Sequence, residues 1–304
     1  MTLFQKQFLH PRFWLSWLGL GLMRLSVCLP VRLQMFSGRL VAWVITPLTS
    51  ARRRVAKRNL ELCFPEWTEQ RRTDLLDENM RTMGMLLIET ALSWWASDKS
   101  LEKRVRYQGL DHLEAGLAKG KGVILLTGHF TSMELGGRLI MLKKRCYVMF
   151  RPLKNPLFNA VMVQARTHHS EGVVLQEDPR AMIRALRKNK IVWYAPDQDY
   201  GRKLSIFAQF FGNTAATVPA TARMAKISGA AVIPFVPRRE ADGSYTLTLS
   251  PALDGFPTGD DVADAQRIND LIEEEVRQSP EQYYWVHRRF KTQPEGKKGS
   301  LYKS

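Results

Sequence analysis

Apolar positions follow one rhythm before Gly120 and another after it. Before it the spacing is helical. From Leu76, apolar residues recur at Met80, Met83 and Leu87, an i, i+4, i+7, i+11 series that predicts a helix with a packed stripe. Such a methionine and leucine stripe reads as core packing and not as a cofactor box. After Gly120, "GVILLT", "CYVMF", "IVWYAP", "AAVIPFV" and "YTLTLS" are short, β-branched or aromatic runs that predict strands. Helical stretches separate several of them. Asp178-Pro179 is an N-cap and first-turn pair ahead of "RAMIRALRKN", Pro219 opens "ATARMAKISG" with Gly229 as its stop, and Asp260-Asp261 begin a helix that ends before Pro280. The alternation predicts an α/β fold with a mixed, mainly parallel central sheet flanked by helices. No repeat or low-complexity linker interrupts residues 60–290. The expected organisation is an N-terminal apolar anchor with a basic juxtamembrane segment (1–58), one α/β domain (59–290) and a flexible basic tail (291–304).

The N-terminal rhythm differs again. Phe13 to Met23 reads "FWLSWLGLGLM", then Arg24, then "LSVCLPV" to Val31, a stretch about as long as the roughly 20 residues of a bilayer-spanning helix. Arg24 within it would cost about 2.5–3.5 kcal/mol at a bilayer centre, and an arginine can snorkel to the interface. A second patch, "LVAWVITPLT" from Leu40, is too short to span, and Arg52, Arg53, Arg54, Lys57 and Arg58 follow it. Basic residues behind an apolar segment place the following domain on the cytoplasmic side. Trp14, Trp17 and Trp43 beside arginines predict a membrane-anchoring helix, in either a spanning or an in-plane form. An amphipathic core helix of a soluble protein is the competing reading.

Charge narrows the partners. The 304 residues carry 45 Lys+Arg against 29 Asp+Glu, a net charge of +16, which favours a polyanion or an anionic membrane surface. Cys28, Cys63 and Cys146 are isolated, with no CxxC pair, so neither a disulfide framework nor a zinc site is indicated. His168-His169 reads as a loop pair, since adjacent side chains diverge, and no metal site is expected.

One stretch suggests chemistry. In "LLTGHFTSMELGG", from Leu125 to Gly137, His129 directly follows a predicted strand and Glu134 lies five residues on. The C-terminal ends of strands are where α/β proteins place their sites. With His129 outside the following helix and Glu134 in its first turns, the carboxylate can reach back to one imidazole nitrogen and leave the other free as a base. No GxSxG nucleophile elbow occurs, so the pair suits direct attack by a substrate hydroxyl on an activated acyl group. Two further polar clusters stand at predicted strand ends: Arg151 in "MFRPLKNPLFN", and Asp197, Gln198, Asp199 and Gly201 in "WYAPDQDYG".

These blocks, with "LHPRFWL", "KRNLELCFPE", "ISGAAVIPFVPRR" and "EQYYWVHRRFKTQPEG", resemble the bacterial lipid A biosynthesis (late) acyltransferases, most closely their lauroyl/palmitoleoyl transferase branch. The likeness covers nearly the whole chain. "GHFTSME" matches the H-x4-D/E signature shared with glycerolipid acyltransferases. The resemblance implies transfer of a fatty acyl chain from acyl carrier protein to a 3-hydroxyacyl hydroxyl of Kdo2-lipid IVA at the bacterial inner membrane, with lauroyl the favoured chain and myristoyl and palmitoleoyl left open. His129 and Glu134 would form the general-base dyad. Arg151 would hold phosphate or stabilise the oxyanion, and Asp197, Asp199 and Gly201 would line the site, with a structural role, such as an Asp199–Arg202 ion pair, as the alternative. Arg288, Arg289 and Lys291 would contact acceptor phosphates or the membrane surface, or else form a solvated face. No cofactor or metal is implied. Two other readings stand beside this one. A nucleic-acid-binding protein would use "YYWVHRRFK" as an aromatic-basic strip, although it leaves the His/Glu turn unexplained. A glycerolipid-type acyltransferase shares the motif but would carry a "PEGTR"-like block where this chain has "PDQDYG".

Overall fold

The computed structural model describes residues 6–176, 178–294 and 301–302. The N-terminal third is helical: α1 (Trp14–Ser26), α2 (Val31–Leu48), α3 (Ser50–Cys63), α4 (Glu69–Trp95) and the short α5 (Asp98–Glu102). Then follow β1 (Val105–Gln108), α6 (Leu110–Ala118), β2 (Val123–Leu126), α7 (Met133–Ile140), β3 (Cys146–Phe150), α8 (Pro156–His169), β4 (Gly172–Leu175), α9 (Pro179–Arg187) and β5 (Ile191–Tyr194). A hairpin β6 (Ile206–Phe210) and β7 (Asn213–Thr217), α10 (Ala220–Ser228), β8 (Ala231–Arg239), β9 (Tyr245–Leu249) and α11 (Asp261–Gln278) complete the chain.

The seven-stranded sheet has the order β1-β9-β8-β2-β5-β3-β4. β8, β2, β5, β3 and β4 run parallel, while β9 turns back antiparallel on β8 and carries β1 parallel to itself. This is the mixed, mainly parallel sheet that the alternation predicts. Each residue of β2 is buried, because helices cover both faces, and so the strand reads as an unbroken apolar run. The five expected strands are β2, β3, β5, β8 and β9. β1 is not legible as a strand from its sequence: "VRYQ" is short and alternates half-buried with exposed polar positions.

The helix signals act as expected. Asp178 caps α9 by accepting from the Ala181 N–H, Asp260 caps α11, and Gly229 ends α10 with φ of +74°, a conformation glycine adopts freely. His168 and His169 are the last two residues of α8 and do not lie in a loop. The helix α3 runs unbroken through residues 58 and 59. Of the expected C-terminal tail, residues 295–300, 303 and 304 lie outside the described residues. Tyr302 is placed, and its hydroxyl donates to Asn59 Oδ1 at 2.5 Å while accepting from the Phe290 N–H.

The expected continuous helix from Phe13 to Val31 is broken. α1 stops at Ser26, and Pro30, with an extended ψ of 152°, caps a separate α2. Proline fixes its own φ and disfavours helix in the residue before it, so the chain turns here. Among the described residues no helix is long and apolar enough to cross a membrane. The inward edge of α2 lies on the long α4 at close range: a Cβ at Gly38 would meet Met85, and one at Gly84 would meet the Gly38 carbonyl. Outward, the two helices present Trp14, Leu15, Leu18, Leu22 and Leu25 from α1 and Leu33, Phe36, Leu40, Trp43 and Leu48 from α2, all exposed. At helical spacing each set lies on one face of its helix.

Candidate active site

The C-terminal ends of β2, β3 and β5 open on a pocket of about 250 Å³. Each strand delivers polar groups there: His129 in the turn after β2, Arg151 directly after β3, and Gln198 and Tyr200 after β5. Between them the wall is apolar, with Met133, Val148, Met149, Phe150, Met162 and Trp193. Adjacent strands of a parallel sheet that end together create such a crevice without any special loop.

His129 is held from three directions. Its backbone N–H donates to Asp197 Oδ2 at 2.8 Å, its carbonyl accepts from the Tyr284 N–H at 2.9 Å, and its Nδ1 lies 2.5 Å from Asp197 Oδ1. Asp197 is fully buried, and the Tyr283 hydroxyl donates to its Oδ2 at 2.8 Å. Burial alone would raise this carboxyl, but the His129 imidazole, the bonds from His129 and the Tyr283 hydroxyl outweigh that and hold it far below the ordinary carboxylate range. An ionised Asp197 can only accept, so it places the imidazole proton on Nδ1 and leaves Nε2 as the basic nitrogen of a side chain that is 19% exposed and lines the pocket.

Glu134 does not fill the place expected for it. It stands in the first turn of α7, and both of its oxygens are engaged by Arg166 of α8. The Trp94 indole N–H donates to Oε1 as well, at 3.2 Å. Burial pushes the Glu134 carboxyl up, and the Arg166 charge and hydrogen bonds bring it below its usual value. The carboxylate that orients His129 is therefore Asp197, 68 residues along the chain, and Glu134 anchors Arg166, which lines the same pocket. Local spacing favours the near glutamate; the parallel pairing of β2 with β5 brings the distant aspartate to the strand-end position beside it.

The other expected residues separate. Arg151 is exposed at the pocket. Asp199 turns away from it: its carboxylate accepts from the Thr292 N–H and hydroxyl and from the Gly201 N–H, and its own N–H donates to His287 Nε2. Gly201 has φ of +82°, the left-handed conformation this turn requires. Arg288 is exposed, but Arg289 is buried, donating to the Ala216 carbonyl, Thr217 Oγ1 and Asn269 Oδ1 and lying over the Phe210 ring. A guanidinium so occupied holds the β6–β7 hairpin to α11 and is not presented to a substrate.

The segment "EQYYWVHRRF" is a brace for the site. Asn79 of α4 donates to the Glu281 and Tyr283 carbonyls, Asn59 of α3 to those of Trp285 and His287, and the Thr131 N–H to that of Gln282. Tyr283, Trp285 and Phe290 are 5%, 2% and 0% exposed, so these rings are not available as a stacking surface for bases. Tyr200, Tyr283 and Arg166 are polar residues of the site that sequence reasoning missed. Tyr283 lies inside a block notable for its composition, and Arg166 carries no local signal, being one of 45 Lys and Arg residues in the chain.

The chain is similar to known proteins over nearly its whole length. The bacterial lipid A biosynthesis acyltransferase model matches residues 1–292. The lipid A biosynthesis palmitoleoyltransferase of Escherichia coli (strain K12) is 40% identical over 301 residues, covering 98% of each chain. The lauroyltransferase of the same organism is 37% identical over 295 residues, covering 96% of each, and its myristoyltransferase is 31% identical over 304, covering 96% of this chain and 92% of its own. The chain with the Asp197–His129 pair at its strand ends belongs to the bacterial lipid A biosynthesis acyltransferases.

Proposed function

We propose that this acyltransferase moves a fatty acyl chain from an acyl carrier protein thioester to the hydroxyl of a 3-hydroxyacyl chain on Kdo2-lipid IVA, with His129 as general base and Asp197 as its orienting carboxylate. The observation that carries the reading is the 2.5 Å Asp197–His129 Nδ1 contact on a histidine lining a largely apolar pocket. Nε2 takes the hydroxyl proton as the oxygen attacks the thioester carbonyl. The carbon–sulfur bond then breaks, and the leaving thiolate receives that proton from the imidazolium. The protein need supply no nucleophile, because the acceptor is one. Arg151, exposed at the pocket, is suited to a phosphate of the acceptor, and the net charge of +16 suits both a phosphorylated glycolipid and an acidic carrier protein.

By the same reading the enzyme sits on the inner membrane, on its cytoplasmic face. Support comes from helices α1 and α2, whose exposed apolar faces would be unfavourable in water and are flanked by Arg12, Arg24, Arg32 and Arg39. Two amphipathic helices of this kind fit an interfacial seat in one leaflet, their arginines at the headgroups.

The test is incubation of the purified enzyme with Kdo2-lipid IVA and acyl carrier proteins loaded with different chains, read by mass spectrometry. One added acyl chain is expected, and none with His129→Ala. Equal product from both proteins removes His129 from the role of base. No product from either removes the acceptor and donor proposed here.

A further inference from the structure

The pocket has a floor, and its construction points to what measures the acyl chain. Val148 of β3 and Trp193 of β5 are directly paired across the sheet and share the face that carries α7. Together with Arg166 they line both the 250 Å³ pocket and a second cavity of about 20 Å³ behind it. They are therefore the partition between the two. The space behind, lined by Trp94, Met141 and Ala165 as well as Glu134, Arg138 and His169, holds little more than a water and has no room for further chain while the partition stands.

The partition is set by a close contact. The six-membered ring of Trp193 lies directly over Gly137 of α7, so near that a Cβ added there would stand 2.5 Å from Cζ3 and 2.6 Å from Cη2. No side chain fits between them. The indole is drawn back against the helix because position 137 is glycine, and that displacement is what gives the pocket its depth.

We infer that the Val148–Trp193 pair, seated on Gly137, is the stop that sets the length of acyl chain this enzyme transfers. The inference rests on the acyl-transfer reading above and adds to it a specificity determinant. Its two sides predict opposite effects. Shrinking the stop (Trp193→Leu or Val148→Ala) lengthens the pocket, and filling the seat (Gly137→Ala) pushes the indole outward and shortens it.

The experiment is competition: each protein receives Kdo2-lipid IVA and an equimolar set of acyl carrier proteins bearing saturated chains of about 10 to 16 carbons, and mass spectrometry reads the ratio of products. The ratio is internal to each sample, so lost stability or lost total activity cancels. Each additional methylene accommodated is worth about four-fold. Trp193→Leu and Val148→Ala should therefore shift the ratio toward longer chains by about ten-fold or more for two carbons, and Gly137→Ala toward shorter ones. If Trp193→Leu does not fold, Val148→Ala and Gly137→Ala decide alone. Variants that transfer the wild-type distribution, or shift it in the reverse sense, overturn the stop while leaving the acyl-transfer reading intact. A wild-type enzyme that transfers no chain to this acceptor overturns both.

Discussion

Replacing Asp197 with Asn tests the site through a single atom pair. The side chains are nearly isosteric, so the buried pocket around residue 197 keeps its shape. Their hydrogen-bonding differs. Oδ2 of Asp197 accepts from two donors, the His129 N–H and the Tyr283 hydroxyl, while Oδ1 faces His129 Nδ1 alone. An amide can satisfy the two donors only by turning its oxygen toward them. Its NH2 group then points at Nδ1, which must become an acceptor, and the imidazole proton moves to Nε2, the nitrogen that should take the substrate proton. Reversing the amide would leave a buried backbone N–H and a buried hydroxyl facing an NH2 group, at about 1–3 kcal/mol each, so the first orientation wins.

The expected consequence is a protein that folds and binds but lacks its base. In a serine protease, changing the aspartate that orients the catalytic histidine to asparagine lowers kcat by about 10⁴, and the same wrong-tautomer logic applies here. A loss of about 10³–10⁴ in kcat corresponds to about 4–5.5 kcal/mol of transition-state stabilisation. The assay is single-turnover acyl transfer to Kdo2-lipid IVA with circular dichroism to check the fold. Combining Asp197→Asn with His129→Ala should add almost nothing beyond His129→Ala alone, because the two act as one unit. A well-folded Asp197→Asn enzyme within ten-fold of wild type would refute the assignment of Asp197 as the orienting group.

Three other outcomes follow from the same contacts. Arg166→Ala strands the Glu134 carboxylate in a setting where the pair's side chains are only 17% and 16% exposed, and should lower unfolding free energy by about 3 kcal/mol in denaturant titration, with much of it recovered when Glu134→Leu is added. His287 is pushed down to about 4, chiefly by burial, while its unfolded value is 6.5. The unfolded chain therefore binds the extra proton, stability is full above about 6.5 and falls by up to about 1.4 kcal/mol per pH unit toward 4; His287→Gln, which can still accept from the Asp199 N–H, should remove that share of the acid slope. Leu18→Glu with Phe36→Glu should weaken co-sedimentation with phosphatidylglycerol-containing vesicles by at least ten-fold, and unchanged binding would remove α1 and α2 from the membrane seat.

How far the sequence carries the structure depends on the range over which each signal acts. Capping residues such as Asp178 and Asp260 act within one turn, and the helices begin where those residues predict. Buried strands of a parallel sheet announce themselves as apolar runs, so β2, β3, β5 and β8 are legible. β1, the β6–β7 hairpin and the break at Pro30 are not, because a tertiary partner defines the first two and a single proline inside an apolar run defines the third. The site shows the same division. His129 stands out because a strand end is a local feature. Asp197 is recognisable as a lining residue, yet its pairing with His129 depends on which strand lies beside β2, and nothing in the sequence around either residue states that.

The separation of Glu134 from His129 changes what a glutamate substitution can mean. Both residues flank one turn, so a five-residue spacing preserves their joint presence whether or not they touch. His129 points to Asp197 while Glu134, on α7, points to Arg166 and Trp94. Loss of Glu134 releases an arginine into the pocket wall and removes the ion pair that ties α7 to α8 behind Val148 and Trp193. Activity can therefore disappear without any change in the basicity or tautomer of His129. The two origins leave different traces: loss of the orienting aspartate removes the pH-dependent base itself, whereas loss of the glutamate lowers stability and occupancy while the remaining turnover keeps the wild-type pH profile.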